Sequence, residues 1–358
     1  MVMKLKTIIG TYWQGLLTVV FAVAVFCFWL FWLPHLLLAR EQMQLFLWNT
    51  DYLTDRLAAP GGFSQYLGEF IVQFFLNPVY GALWYVALFA AAQLLTWRLL
   101  TRWTQRDGSF VLYLLSFIPS ILLWYLACNP NVPMTPVVAV VLILGLLNLL
   151  PKARKACIVA VCVMIPVAYW LAGGDYYWES DKVGTYEEME YDMLMRRQQW
   201  ATMTDRYEKK PTESLAIRNA VLIALWHQQR ISQQEMMNGL TLTNQTLKSV
   251  SSAFLMSEVS LPIGMVNMSQ RSAFEAMEAI PNYNKSARAL RRLVETNIIT
   301  GQYDVARKYI HILEETTFYR SWAQRMNLLI EHPEQIKDYP LYHRLKELYD
   351  NGDDEFFY

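Results

Sequence analysis

The sequence predicts an all-α protein, a five-span transmembrane region followed by a soluble α-solenoid of tetratricopeptide-like helical hairpins. Three observations predict it. The chain is 54% hydrophobic over 358 residues, yet its long apolar runs fall in the first half. Its formal net charge of zero hides +5 over residues 1–172 and −5 over residues 173–358. Beyond Thr185 the apolar residues recur at helical spacing, with no alternation of the kind a half-buried strand requires. The expected domains are therefore a membrane domain at 1–172, a linker at 173–184 and a helical-repeat domain at 185–358.

The first span is expected over about Gln14–Leu38. It is too long for a signal-peptide core, and it ends on Trp29, Trp32 and His35 rather than on small residues. The second (Val79–Leu100) and third (Phe110–Cys128) are long enough to cross a hydrocarbon core, which takes about 20 residues. The fourth (Met134–Leu150) and fifth (Ala156–Leu171) are short and bounded by Pro133, Pro136 and Pro151, with Pro166 inside the fifth. Aromatic residues mark span ends, as at Trp97 with Trp103 and at Trp124-Tyr125.

Lys4, Lys6, Arg98, Arg102, Arg106, Lys152, Arg154 and Lys155 fall on one side of this arrangement. Arg40, Arg56 and Lys182 fall on the other. Positive charge stays in the cytoplasm, so the N-terminus is expected there and the C-terminal domain on the outer face of a bacterial inner membrane, the periplasm.

Between the first two spans, residues 40–57 are expected to form one interfacial helix. Met43, Phe46, Leu47, Trp48 and Leu53 would lie in the bilayer surface, and Arg40, Glu41, Gln44, Asp51 and Asp55 would face elsewhere. Pro60-Gly61-Gly62 would end it, and a second helix would start near Ser64 and run to Asn77-Pro78.

In the second half, Thr185 with Glu188 and Ser232 with Glu235 have the spacing of capping boxes, in which side chain and backbone satisfy each other at a helix start. Proline at 211, 262, 281, 333 and 340 punctuates the helices. Within 290–313, Leu290, Leu293 and Val294 make one face. A turn with Gly301 and Tyr303 follows, then Ala306, Ile310 and Leu313 on the next helix. Sliding back 33 residues sets Ala273, Met277 and Ile280 under those three, within one residue of a tetratricopeptide period of about 34. Residues 191–211, with Trp200 at the turn, read as a third hairpin. Tyr303, Arg307, Arg288 and Arg292 are the candidate binding residues of the repeat face.

The stretches "EQMQLFLWNTDYL" and "PGGFSQYLGEFIVQFF" near the start, and "SAFEAMEAIPNYNKSARALRRLVETNIITGQYDVARKYIHILEETTFYRSW" near the end, carry a resemblance. They are similar to an uncharacterised, domain-of-unknown-function family of Bacteroidales-type inner-membrane proteins. That resemblance implies a multi-span N-terminal half and a tetratricopeptide-like tail, and it implies no activity. Members of that family are often longer, with more spans.

For chemistry the sequence offers little. Cys27, Cys128, Cys157 and Cys162 sit in or beside apolar runs and read as small apolar side chains. His35, His227, His311, His332 and His343 are scattered, with no metal spacing. Gln73, Asn77, Gln93 and Asn148 read as helix-bridging polar groups. No ionisable residue lies mid-span, which argues against a proton pump or ion channel. No basic patch serves nucleic acid, and no cofactor or metal is expected. The leading expectation is a membrane-anchored, non-enzymatic scaffold whose repeat domain binds a protein partner. The alternative is an enzyme, or enzyme subunit, acting on lipid-linked glycans, with Glu41, Asp51 and Asp55 as catalytic candidates.

The topology is directly testable. A reporter active only outside the cytoplasm should work after Tyr358 and in the 40–68 loop, and fail at Arg106 and Lys155. Activity at Lys155 with silence at Tyr358 would overturn the five-span arrangement.

Overall fold

The computed structural model describes residues 2–106, 109–149, 183–241, 249–280 and 285–352, with side chains from residue 12 onward. Every regular element among them is helical, and no strand occurs among the described residues. The chain divides into two units. The first comprises Met1–Arg40 with Thr50–Glu179, and the second Glu41–Asn49 with Ser180–Tyr358. The later boundary falls inside the expected 173–184 linker. The short inserted piece, 41–49, was not anticipated.

In the first unit, helix α1 (Val2–Cys27) runs into a π-helical turn over Phe28–Trp32, and α2 (Pro34–Glu41) follows. The break is local chemistry, because Pro34 has no backbone N–H to continue the ladder and starts the next helix at its first position. Trp29 stacks on Tyr85 at 4.2 Å between ring centroids. Helices α3 (Thr50–Ala58) and α4 (Gly62–Val72) form a hairpin. Then come α5 (Pro78–Thr104), α6 (Phe110–Leu115), α7 (Ile118–Cys128) and α8 (Thr135–Leu149). Helix α5 is the hub, packed on α1, α7 and α8. Where α4 meets the start of α8, Gly68 permits a close approach, since a Cβ there would lie 3.2 Å from the Thr135 nitrogen, closer than ordinary contact.

Three stretches are long and apolar enough to cross a membrane: Tyr12–Trp32, Pro78–Thr104 and Phe110–Cys128. The third is interrupted by a turn at Ser116-Phe117. Helix α8 has 15 residues, about 22 Å at 1.5 Å per residue, against a hydrocarbon core of about 30 Å. The expected fifth span, with Cys157 and Cys162, lies outside the described residues. Polar side chains join these helices as expected. Gln93 accepts from the Thr18 hydroxyl at 3.2 Å and donates to Ser116 at 2.9 Å. Asn148 donates to the Leu95 carbonyl at 3.1 Å. Gln73 and Asn77 instead bond within their own turns, to the Phe70 carbonyl and the Val79 nitrogen.

The second unit contains α9 (Tyr186–Arg196), α10 (Trp200–Lys209), α11 (Leu215–His227), α12 (Gln233–Gly239), α13 (Val250–Ser260), α14 (Val266–Ala279), α15 (Ala287–Ile299), α16 (Tyr303–Glu314), α17 (Arg320–Glu331) and α18 (Pro340–Asp350). Both capping boxes read from the sequence form, at Thr185/Glu188 and Ser232/Glu235. Helices α13 to α17 each pack on the next in chain order, while α9 and α11 pack on α13 and α18 packs on α15. The faces read from periodicity are interior: Leu290, Leu293, Val294, Ala306, Ile310, Leu313, Ala273 and Ile280 are buried, and Met277 is half-buried. Gly301 makes the α15–α16 turn at φ +76°, a left-handed conformation that glycine adopts without steric cost.

Ala306 is fully buried where α16 meets its neighbours. Ala306→Leu adds three carbons to that contact and should cost about 1–3 kcal/mol. Hydrogen exchange on the whole protein should show the α15–α16 amides opening more easily by that amount, with α5 unchanged. Equal protection in both proteins would remove Ala306 from the packed contact.

Candidate functional site

Residues 40–57 do not form the expected interfacial helix. Helix α2 ends at Glu41, residues 42–49 are non-helical, and helix starts again at Thr50. The non-helical stretch docks into the second unit through its main chain. The Leu45 N–H donates to the Lys285 carbonyl at 3.1 Å, and the Trp48 N–H to the Glu315 carbonyl at 2.9 Å. Side chains extend the contact: the Trp48 indole N–H donates to Thr317 at 2.9 Å and the Asn49 amide to Glu315. Met43, Leu45 and Phe46 are buried, and Phe46 is 1% exposed. Two of the expected lipid-facing anchors, Met43 and Phe46, are thus interior side chains of a strap. Leu47 is half-buried beside them, and Trp48 keeps an exposed face. Leu53 lies half-buried on α3 in the first unit. A helix places these residues on one face by periodicity alone, but the strap satisfies its amides from outside the segment, which no local pattern reveals.

The carboxylates named as catalytic candidates have different surroundings. Asp51 and Asp55 are exposed on α3. Glu41 belongs to the second unit and is 5% exposed, with one carboxylate oxygen accepting from the Tyr319 hydroxyl at 3.1 Å. Its other oxygen has no hydrogen-bond partner among the described residues. Burial raises its pKa above the ordinary carboxylate value, against the opposing pull of Arg196, the Tyr319 hydrogen bond and Arg288. Arg40, expected on a polar face, is buried in the first unit instead. It donates to the Tyr85 hydroxyl and to the carbonyls of Ala127 (2.6 Å) and Asn129 (2.8 Å).

The most developed polar site lies in the second unit, on α15. Arg288 forms a two-pronged pair with Asp192 of α9, at 2.8 and 2.7 Å. It also donates to Glu258 of α13 at 2.9 Å and to Gln42 of the strap at 2.9 Å. Its guanidinium lies 4.5 Å from the Phe254 ring centroid. Arg292 pairs with Glu258 at 2.7 Å and with Glu295 at 3.2 Å. Arg291 pairs with Glu295 at 3.1 Å, and the Tyr342 hydroxyl donates to the same carboxylate at 3.0 Å. Burial alone would raise the Glu258 pKa. The Arg292 and Arg288 guanidiniums outweigh it and hold the carboxyl well below the usual carboxylate range.

Around these groups is a cavity of about 280 Å³, lined by Arg196, Phe254, Ser257, Glu258, Arg288, Arg291, Arg292, Glu295 and Tyr319. A second of about 530 Å³ shares Arg196, Glu258, Arg291, Arg292 and Glu295 and adds Trp200, Trp226, His227, Leu261, Leu341 and Tyr342. Of the four candidate binding residues, Arg288 and Arg292 are at this cleft. Tyr303 and Arg307 are not among its lining residues, and Arg307 is exposed and pairs with Asp304 at 3.0 Å. Sequence reasoning missed Arg196, Glu258, Glu295 and Tyr319. The one local signal was "ARALRRLVETNII", where three arginines at i, i+3 and i+4 interrupt a helix that is otherwise apolar on more than one face. The described residues hold no cluster of three or more metal-ligating side chains. The set of fixed charges and an aromatic wall suits binding by charge and shape; none of its groups is arranged as a nucleophile with its base.

A family of unknown function (DUF6057) matches the chain over residues 11–181 and again over 175–358, two stretches that meet at the division between the units. No characterised protein and no solved structure matches.

Glu41 gives the strap a pH dependence. A carboxyl with a raised folded-state pKa stabilises the docked form at low pH, and that contribution is lost as the pH rises through the raised value. Protection of the Leu45 and Trp48 amides, corrected for intrinsic exchange, should fall as the pH rises above the ordinary carboxylate range. In Glu41→Gln it should be level. A slope that persists in Glu41→Gln would assign the effect to another group.

Proposed function

We propose that this chain, which belongs to the family of unknown function DUF6057, is a membrane-anchored interaction protein. In this reading, its C-terminal helical unit is a tetratricopeptide-like solenoid held outside the cytoplasmic membrane to bind a protein partner. The observation that carries the reading is the strap. Residues 41–49 leave the first membrane-length stretch and become part of the C-terminal unit. That unit is therefore joined to the membrane half at both ends of the strap as well as at the 179/180 crossing. A scaffold that tethers a binding domain to a membrane gains from such repeated connection.

The strap also bears on topology. Because 41–49 folds with residues after 180, both lie on the same side of the membrane, and the chain between them must cross an even number of times. Five spans satisfy this, and so do three, if α8 does not cross. The eight-to-three bias of positive charge belongs to the five-span count and favours the N-terminus inside and the C-terminal unit in the periplasm; with three spans Lys152, Arg154 and Lys155 would join the outer side and the bias would vanish.

Transfer of lipid-linked glycans finds no support in the first-loop acids. Glu41 is buried against Tyr319, and Asp51 and Asp55 are exposed surface residues with no positioned partner of opposite charge among the described residues.

Purification from gently solubilised membranes, followed by identification of what accompanies the protein, tests the reading. A protein partner should be recovered in constant ratio, and it should be retained in Asp51→Asn and Asp55→Asn. Phe46→Asp with Leu45→Asp places two charges in the buried strap contact, so it should release the strap and reduce recovery several-fold. Loss of the cellular phenotype in Asp51→Asn at normal protein level, with no partner recovered from the parent protein, would favour the enzyme instead.

A further inference from the structure

The two cavities of the C-terminal unit meet at Arg196, which lines both. The charges around it pair off. Arg288 is matched by Asp192, Arg292 by Glu258 and Arg291 by Glu295. Arg196 is left over. Among the described residues it forms no direct ion pair and acts on Glu41 and Glu258 only through longer-range attraction, and its Nη1 is shut away from solvent with no hydrogen-bond partner. An enclosed guanidinium nitrogen without a partner is unfavourable, and the energy is recovered when an anion arrives.

Three features narrow the anion. The unpartnered guanidinium nitrogen calls for an anionic acceptor, and the planar fork fits a carboxylate in the plane. The larger lobe, walled by Trp200, Trp226, Leu261 and Leu341, is shaped for an apolar or aromatic side chain. Glu258 and Glu295 line both lobes and are acceptors only, so they suit a ligand that carries N–H donors. A fatty acid brings the carboxylate and the apolar part but no donor. A free phosphate brings no apolar part for the larger lobe.

We infer that the cleft binds the C-terminal end of a peptide, with the terminal carboxylate on Arg196 and a large apolar last side chain between Trp200, Trp226 and Leu341. The inference rests on the interaction reading above and names the chemistry of the partner's contact.

Fluorescein-labelled hexapeptides with a free C-terminal carboxylate, varied through all residue types at the last two positions, should be titrated against the whole protein in detergent micelles. Members ending in an aromatic or large aliphatic residue should raise the polarisation. Amidating the terminus of such a peptide should weaken binding about tenfold or more, the effect of losing one charge-assisted hydrogen bond. Arg196→Gln should do the same, Arg196→Lys should fall between, and Trp226→Ala should abolish the preference for aromatic ends. The amide comparison uses the unaltered protein, so it decides the matter even if the Arg196 variants unfold. The inference is wrong if acid and amide bind alike, if no peptide binds, or if dodecanoate or inorganic phosphate displaces the peptide at equal concentration. A membrane partner that is recovered undiminished with Arg196→Gln would also overturn it, while leaving the interaction reading intact. Absence of any recovered partner would remove both.

Discussion

The C-terminal unit depends on one ion pair, Arg288 with Asp192. Both side chains are almost wholly buried, at 7% and 6% exposure. The guanidinium uses its remaining donors on Glu258 and Gln42. Four segments far apart in sequence (the strap, α9, α13 and α15) thus converge on a single planar group with fixed donor directions. Breaking a pair of this kind by removing one partner costs about 3–5 kcal/mol, because the other charge stays buried and unmatched. Helix packing alone would tolerate small slides between α9, α13 and α15; the guanidinium does not.

The same group organises the site. With Arg288 committed to Asp192, Glu258 is free to bridge from Arg288 to Arg292, and Glu295 to hold both Arg291 and Arg292. Each carboxylate is shared, so the arginines of α15 are held apart at defined positions rather than splayed into solvent. What remains is a cavity with rigid polar walls and one buried donor without a hydrogen-bond partner among the described residues, on Arg196. Preorganised walls lose little entropy on binding, which is why the cleft, and not the exposed pair Arg307–Asp304, is the place to look for a ligand.

What the sequence revealed, it revealed locally. The two capping boxes, the buried faces Leu290/Leu293/Val294 and Ala306/Ile310/Leu313, and the polar bridges of Gln93 and Asn148 follow from spacing and residue type, and all appear where expected. The strap was misread because its signal is not local. Met43, Leu45 and Phe46 are apolar whether they face lipid or protein, and the bonds from Leu45 to Lys285 and from Trp48 to Glu315 span more than two hundred residues. The cleft was half legible. Arg288 and Arg292 read as binding residues of the repeat face, whereas Arg196 and Glu258 look like ordinary surface charges until α9 and α13 are brought against α15.

Why the strap carries polar groups into a buried contact follows from what apolar burial cannot do. Phe46, Leu45 and Met43 supply the favourable burial, but apolar contact by itself specifies register weakly, since a shifted segment can repack. Gln42 accepting from Arg288 and Glu41 accepting from Tyr319 end that freedom, because a shift would strand a buried guanidinium donor and a buried hydroxyl. The apolar residues therefore make the strap adhere, and the two polar residues at its start, together with the main-chain bonds of Leu45 and Trp48, set its register. The register matters because Glu41 closes α2, the last helical turn after the first membrane-length stretch. Fixing Glu41 against Tyr319 fixes the point at which the chain enters the C-terminal unit.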